Sequence, residues 1–210
     1  FDFSNEDGIL RLAEKCSGSG DCRKSEVTGG LMCPSYMATR NEFNTTRARA
    51  NVLRQFLTDP EDAQPFDHEE IKEVMDLCLS CKGCKTECPS GVDITKMKAE
   101  FLQQYYNIHG VPLRTRLISN FSGQMQLASI APSIYNAVLS NTFLRKNINK
   151  LIGFHPDRSM PLLEKETLRN WFNKRKKNSS AAFKKQVYFF CDEFTNYLDA
   201  AIGKKAILLL

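Results

Sequence analysis

Cys78-Leu79-Ser80-Cys81-Lys82-Gly83-Cys84-Lys85-Thr86-Glu87-Cys88-Pro89 follows the spacing C-x2-C-x2-C-x3-C-P without deviation. Three thiolates at two-residue intervals let a loop wrap three corners of one iron–sulfur cubane, with its amide N–H groups turned toward the sulfides. The fourth cysteine, displaced by the proline, points away and ligates a different cluster. Gly83 lets the backbone approach closely. Zinc prefers a tetrahedron built from two C-x2-C knuckles set well apart in sequence, and four cysteines crowded before a proline fit that poorly. A disulfide framework fits no better.

A two-cluster arrangement requires a second motif, and the N-terminal part supplies one. Cys16-Ser17-Gly18-Ser19-Gly20-Asp21-Cys22 is C-x5-C, and Cys33-Pro34 follows it. Ser19 occupies the place of the middle cysteine. Crossing the two fourth cysteines assigns Cys33, Cys78, Cys81 and Cys84 to one cluster. Cys16, Cys22 and Cys88 are left for the other, with no fourth thiolate. The eighth cysteine, Cys191, sits in an apolar stretch with no second cysteine near it, as a buried core thiol would.

Other residues carry two readings each. Arg40, Arg47 and Arg49 follow the Cys33 loop. They either lie near a cluster, where positive charge raises its potential, or make ordinary surface ion pairs. Met32 and Tyr36 either shield a cluster or pack in the core. Lys82 and Lys85, inside the ligand loop, are surface residues or partner-docking ones. His68, His109 and His155 are scattered, at neither metal nor triad spacing, and His155-Pro156-Asp157-Arg158 reads as a turn. No glycine-rich phosphate loop, G-x-S-x-G or paired-carboxylate arrangement stands out, so no catalytic residue is assigned.

The set Cys16, Cys22 and Cys88 resembles the iron–sulfur subunits of succinate dehydrogenase and fumarate reductase. That resemblance implies a [3Fe–4S] cluster. A [4Fe–4S] cluster with Ser19 or water on the fourth iron stays open, as does an empty second site. A wider resemblance covers nearly the whole chain. Cys22-Arg23-Lys24, Met32-Cys33-Pro34-Ser35-Tyr36-Met37-Ala38-Thr39-Arg40 and Thr46-Arg47-Ala48-Arg49-Ala50 are similar to the iron–sulfur part of FAD-linked D-2-hydroxy acid dehydrogenases of the D-lactate and D-2-hydroxyglutarate type. Residues 187–197 resemble the opening of the cysteine-rich domain that follows in that family. The family is related in layout to the glycolate oxidase iron–sulfur subunit and to heterodisulfide reductase subunits. The resemblance implies a module that relays single electrons from flavin to a quinone or soluble carrier. It places FAD and the substrate site in an upstream domain or a partner chain. A separate iron–sulfur subunit of a multi-subunit oxidoreductase is the alternative.

The chain has 210 residues, 42% hydrophobic and 25% charged, which is ordinary globular composition. A net charge of +5 is mild. The basic runs, Lys174-Arg175-Lys176-Lys177 and Lys184-Lys185, interleave no aromatics as a nucleic-acid surface would, so no nucleic-acid partner is expected. Phe1 at the start and the apolar run Ala206–Leu210 at the end read as cuts in a longer chain. No signal-peptide pattern is present, and thiolate ligation calls for a reducing compartment, so a cytoplasmic location is expected.

The expected fold is mainly α: an α-helical ferredoxin with additional helices and the truncated start of an α/β domain. Residues 1–112 form the two-cluster domain, with helices over 5–15 (capped by Asn5), from Thr45 or Thr46 to Leu57, from Asp67 to Cys78, and from Asp93 or Thr95 to Asn107. Asp59-Pro60 stops the second of these, and His109-Gly110 the last. Residues 113–185 are a helical extension and a basic, irregular linker. Two helices broken near Pro132 are expected over 113–155, too polar to span a bilayer but compatible with peripheral membrane contact over 117–144. Gln186-Val187-Tyr188-Phe189-Phe190-Cys191 reads as a buried strand that opens the third part, 186–210.

Overall fold

The structure is a computed structural model and describes every residue except 60, 62 and 176–186. The chain forms two compact units, Phe1–Val111 and Pro112–Leu210. Both are helical, and no strand occurs among the described residues.

The first unit carries six helices: α1 (Ile9–Glu14), α2 (Pro34–Thr39), α3 (Thr46–Leu57), α4 (Glu69–Asp76), α5 (Gly83–Glu87) and α6 (Ile94–His109). Their starts follow local chemistry. Thr45 caps α3 by accepting the Ala48 N–H at 3.0 Å, and Asp93 caps α6 by accepting the Lys96 N–H at 3.1 Å. Each such cap contributes about 1 kcal/mol. Gly110 ends α6 with φ of 78°, a conformation that favours glycine. The helix expected over 5–15 is divided. A short 3-10 turn covers Ser4–Glu6, Asp7 turns left-handed, and α1 begins only after Gly8, with no side-chain cap from Asn5.

Apolar periodicity decides which faces turn inward. Ile71, Val74 and Met75 on α4 and Ile94, Met97, Phe101 and Tyr105 on α6 recur at helical spacing and are buried. They join Leu12 and Ala13 of α1 and Ala50 and Leu53 of α3 in one core. Helix α3 lies against α1, α4 and α6, so it is the central element. The cysteines border this core: Cys22, Cys33 and Cys84 belong to it, and Cys16, Cys78 and Cys88 pack against it half-buried.

The second unit holds α7 (Leu113–Ser119), α8 (Phe121–Ala128), α9 (Pro132–Ser140), α10 (Thr142–Leu151), α11 (Leu168–Lys174), α12 (Glu193–Tyr197) and α13 (Ala200–Leu209). Four helices therefore replace the two expected over 113–155. The break at Pro132 is present, but Asn120 and Asn141 add two more. Asn141 accepts the Leu144 N–H at 3.1 Å, which starts a new helix instead of continuing the old one. Buried Asn149 donates to the carbonyls of His155, Pro156 and Arg158, fixing the turn at those residues. No helix among the described residues is long and apolar enough to cross a membrane.

Two further expectations are corrected. The segment read as irregular contains α11, capped by Thr167 through the Asn170 N–H at 3.2 Å. Lys176, Lys177, Lys184, Lys185 and Gln186 lie outside the described residues. The expected buried strand is not formed over Val187–Cys191. Tyr188 is 91% and Phe190 86% exposed, and Cys191 is only partly buried. Aromatic and β-branched residues favour strand only where a neighbour supplies a ladder and a face to cover, and among the described residues there is none.

Candidate metal centre

All eight cysteines are free thiols. Cys78 follows the end of α4, where its N–H reaches the Met75 carbonyl at 3.0 Å. The chain then turns through two left-handed residues, Ser80 (φ 53°) and Lys82 (φ 63°), which leave Cys81 exposed between them. Positive φ at non-glycine residues is strained and clusters at functional sites. Cys84 is buried on α5, and Cys88 ends that helix with its N–H on the Cys84 carbonyl at 3.1 Å.

Cys33 reaches the same region from another part of the chain. It is itself left-handed (φ 59°) and precedes Pro34 at the first position of α2. Its sulfur accepts the Thr46 N–H at 2.9 Å and lies 2.8 Å from the Thr46 hydroxyl, at the start of α3. Burial pushes the Cys33 thiol up to about 11, against the hydrogen bonds from Thr46. Burial also raises Cys84, while amide hydrogen bonds from Ile94 and Thr95 at the start of α6 act the other way. Both sulfurs thus sit on the positive end of a helix, which favours the thiolate.

Two contacts bring the Cys33 segment to the ligand loop. The Glu87 carboxylate accepts the Leu31 N–H at 2.6 Å and the Met32 N–H at 3.2 Å, and Lys24 lies 3.4 Å from it. The Leu31 hydrogen bond leads in holding the Glu87 carboxyl below its usual range. A Cβ on Gly83 would stand 3.1 Å from the Leu31 carbonyl oxygen and 3.4 Å from the Met32 Cα. These are backbone atoms and yield little. Gly83→Ala is therefore expected to push α5 off the 31–33 segment and lower iron loading at least twofold; iron analysis after identical reconstitution checks this.

Cys16, Cys22 and Cys88 line one cavity together with Ser19, Met32, Thr46 and Arg47; Cys33 does not line it. Cys16 follows α1, and Cys22 lies in the 3-10 turn Asp21–Arg23. A Ser17–Ser90 hydrogen bond of 2.7 Å ties the Cys16 loop to the segment after Cys88. Thr46, whose hydroxyl lies 2.8 Å from the Cys33 sulfur, also lines this cavity, which leaves an uncrossed grouping geometrically available.

The donor set fits iron–sulfur clusters: thiols alone, several buried, with amide N–H groups aimed at two of the sulfurs. No three His, Cys, Asp or Glu side chains among the described residues converge as ligands of one metal ion. In a cubane each thiolate sits on a different iron, so the ligands stand further apart.

The arginines separate by role. Arg40 pairs with Glu26, and Arg47 bonds Glu42 through Nε at 3.0 Å and Nη2 at 2.5 Å. Arg49 is 2% exposed and has no carboxylate partner among the described residues. Met32 is buried in the core and also lines the cavity. Lys85 lies 3.6 Å from Asp93, and His109 2.5 Å from Asp67. Glu87 and Lys98 were not singled out in sequence. Lys98 borders the apolar stripe of α6, the one signal that marks it.

Residues 15–93 match the model of the 4Fe-4S dicluster domain. The chain is 28% identical over 234 residues to D-2-hydroxyglutarate dehydrogenase of Escherichia coli (strain K12), covering 91% of this chain and 23% of that protein. It is 28% identical over 194 residues to the D-2-hydroxyglutarate dehydrogenase of Pantoea ananatis (strain AJ13355), covering 76% and 18%. The glycolate oxidase iron-sulfur subunit of Escherichia coli (strain K12) is 33% identical over 86 residues, covering 41% of this chain and 17% of that protein. The chain thus spans less than a quarter of the length of these relatives. No solved structure matches it. Residues 15–93 thus match a 4Fe-4S dicluster domain, and the chain that carries them is similar to D-2-hydroxyglutarate dehydrogenases and, over a shorter stretch, to a glycolate oxidase iron-sulfur subunit.

Proposed function

We propose that this chain relays single electrons within an FAD-linked 2-hydroxy acid dehydrogenase, between a flavin and a quinone or soluble carrier. The observation that carries this is the gathering of Cys16 and Cys22 with Cys88, from the far end of the matched domain, around one cavity. On this reading Cys33, Cys78, Cys81 and Cys84 hold a [4Fe–4S] cluster. Cys16, Cys22 and Cys88 hold a [3Fe–4S] cluster, or a [4Fe–4S] one completed by Ser19 or water. The clusters, when bound, supply one-electron acceptance and release. The residues do the rest: thiolates fix position, the amides of Thr46, Ile94 and Thr95 stabilise negative sulfur, and Met32 keeps water out. Cys81, exposed on its loop, is the natural point of approach for a redox partner.

The flavin site belongs, on this proposal, to a fused domain or a partner chain in a reducing compartment. The similarity to a glycolate oxidase iron-sulfur subunit favours a second form, a separate subunit beside its flavoprotein. Reconstituted anaerobically, the full chain is expected to absorb broadly near about 400 nm and to bleach with dithionite. A colourless protein with stoichiometric zinc overturns the proposal. An oxidised EPR signal near roughly g = 2.01 marks the three-iron form, and its absence at full loading marks four irons. Exposed Leu127, Ile130 and Ile134 support peripheral membrane contact. The chain is then expected to float with anionic liposomes, and deletion of residues 117–144 to abolish flotation; equal flotation of both chains would refute this.

A further inference from the structure

Two cations withdrawn from water in the first unit, Arg49 and Lys98, have no carboxylate partner among the described residues. Arg49 of α3 is buried, with Nε donating to the Val74 carbonyl at 2.8 Å, Nη1 to the Asn44 carbonyl at 3.0 Å and Nη2 to the Ser35 hydroxyl at 3.1 Å. Lys98 of α6, half-buried, donates through Nζ to the carbonyls of Met75 at 2.8 Å, Cys78 at 2.7 Å and Asp76 at 3.4 Å. Every one of these partners is neutral. Both side chains grip the last turn of α4, the turn that delivers Cys78. Carbonyls at a helix C-terminus carry only partial negative charge. A cation withdrawn from water without a full counter-charge is costly, so such residues are normally paired.

The groups around the pair identify the missing counter-charge. Lys98 Nζ lies 2.7 Å from the carbonyl of Cys78 itself, and Arg49 bonds Ser35, two residues beyond Cys33. Asp76 is exposed, which leaves Cys33 and Cys78, anionic once they ligate iron, as the inward-facing candidates. By contrast, Arg47 beside the other cavity is already bonded to Glu42. We propose that buried Arg49 and half-buried Lys98 are cations whose counter-ion is the cluster on Cys33, Cys78, Cys81 and Cys84, and that they raise that cluster's reduction potential selectively. This rests on the cluster assignment proposed above. A cluster bound by four thiolates is negative and gains a further charge on reduction, so a fixed cation favours the reduced form.

The test is a dithionite redox titration of the reconstituted full chain, with each cluster followed by EPR and iron measured per chain. Arg49→Met leaves three buried acceptors unmatched and endangers folding, so Lys98 carries the test. Lys98→Met is expected to shift one cluster's one-electron equilibrium at least tenfold against reduction, about 59 mV, and to move the other less than twofold. Lys98→Arg, which keeps the charge, is expected to restore the wild-type value. Arg49→Lys is expected to stay within threefold of it. Unmoved potentials in a fully loaded Lys98→Met chain overturn the proposal, as does an equal shift of both clusters or a Lys98→Arg chain that behaves like Lys98→Met. A wild-type chain that binds no iron overturns the relay function and this proposal together, whereas those three results overturn this one alone.

Discussion

Cys88→Ser is expected to remove the cluster of Cys16 and Cys22 while leaving that of Cys78, Cys81 and Cys84 in place, although Cys88 belongs to the latter's sequence run. The expectation follows from the cavity: Cys88 lines it with Cys16 and Cys22, and the Ser17–Ser90 bond of 2.7 Å holds its two sides together. Iron content should fall by about three or four atoms per chain, with the reduced [4Fe–4S] EPR signal retained. Cys33→Ser should do the reverse, because Cys33 reaches the other set through the contacts of Gly83 and Glu87 with Leu31 and Met32. Thr46, which bonds the Cys33 sulfur and also lines the cavity of Cys22, makes the uncrossed arrangement a real competitor. In that arrangement Cys88→Ser strips the cluster of Cys78, Cys81 and Cys84, and Cys33→Ser spares it. One pair of variants, measured by iron analysis and EPR in the oxidised and reduced states, decides between them.

What sequence reveals about such a molecule depends on the range of the interaction. Ligand spacing in the Cys78–Pro89 loop is a short-range demand, so the likeness to a dicluster domain is legible from that dozen residues together with the Cys16–Cys22 and Cys33-Pro34 motifs. The same holds for Thr45, Asp93 and Gly110, whose capping partners lie within four residues. Glu87 and Lys98 are not legible in sequence because they bond backbone groups twenty or more residues away, and backbone carries no sequence signature. Arg49 was visible only as one of three arginines. Burial distinguishes it, and burial is decided by how α3 packs against α1, α4 and α6. The stretch at Val187 shows the opposite error: its composition favours a strand, but a strand is a property of a pair.

The same physics bears on what holds the first unit together. A contiguous hydrophobic core is present beside the cysteines. Leu53, Ile71, Val74, Met97 and Phe101 are each fully buried within it. Phe101 lies midway along α6, the helix whose first turn presents the amides of Ile94 and Thr95 to Cys84. Phe101→Ala is expected to cost about 3–5 kcal/mol, since emptying a buried aromatic site loses both transfer energy and packing. That is a large part of the roughly 5–15 kcal/mol by which domains of this kind are stable. The loss should appear as a lowered denaturation midpoint by helical circular dichroism, and as faster iron release to a chelator because α6 is less firmly seated. Leu79→Ala, at an exposed position inside the ligand loop, should change the midpoint by no more than about 0.5 kcal/mol. If Phe101→Ala costs less than about 1 kcal/mol while chelation alone unfolds the wild-type helices, the clusters, not the core, hold the unit together. Helices that persist after iron removal from the wild type but melt early in Phe101→Ala would show that the core holds the scaffold and that the clusters bind to a frame already built.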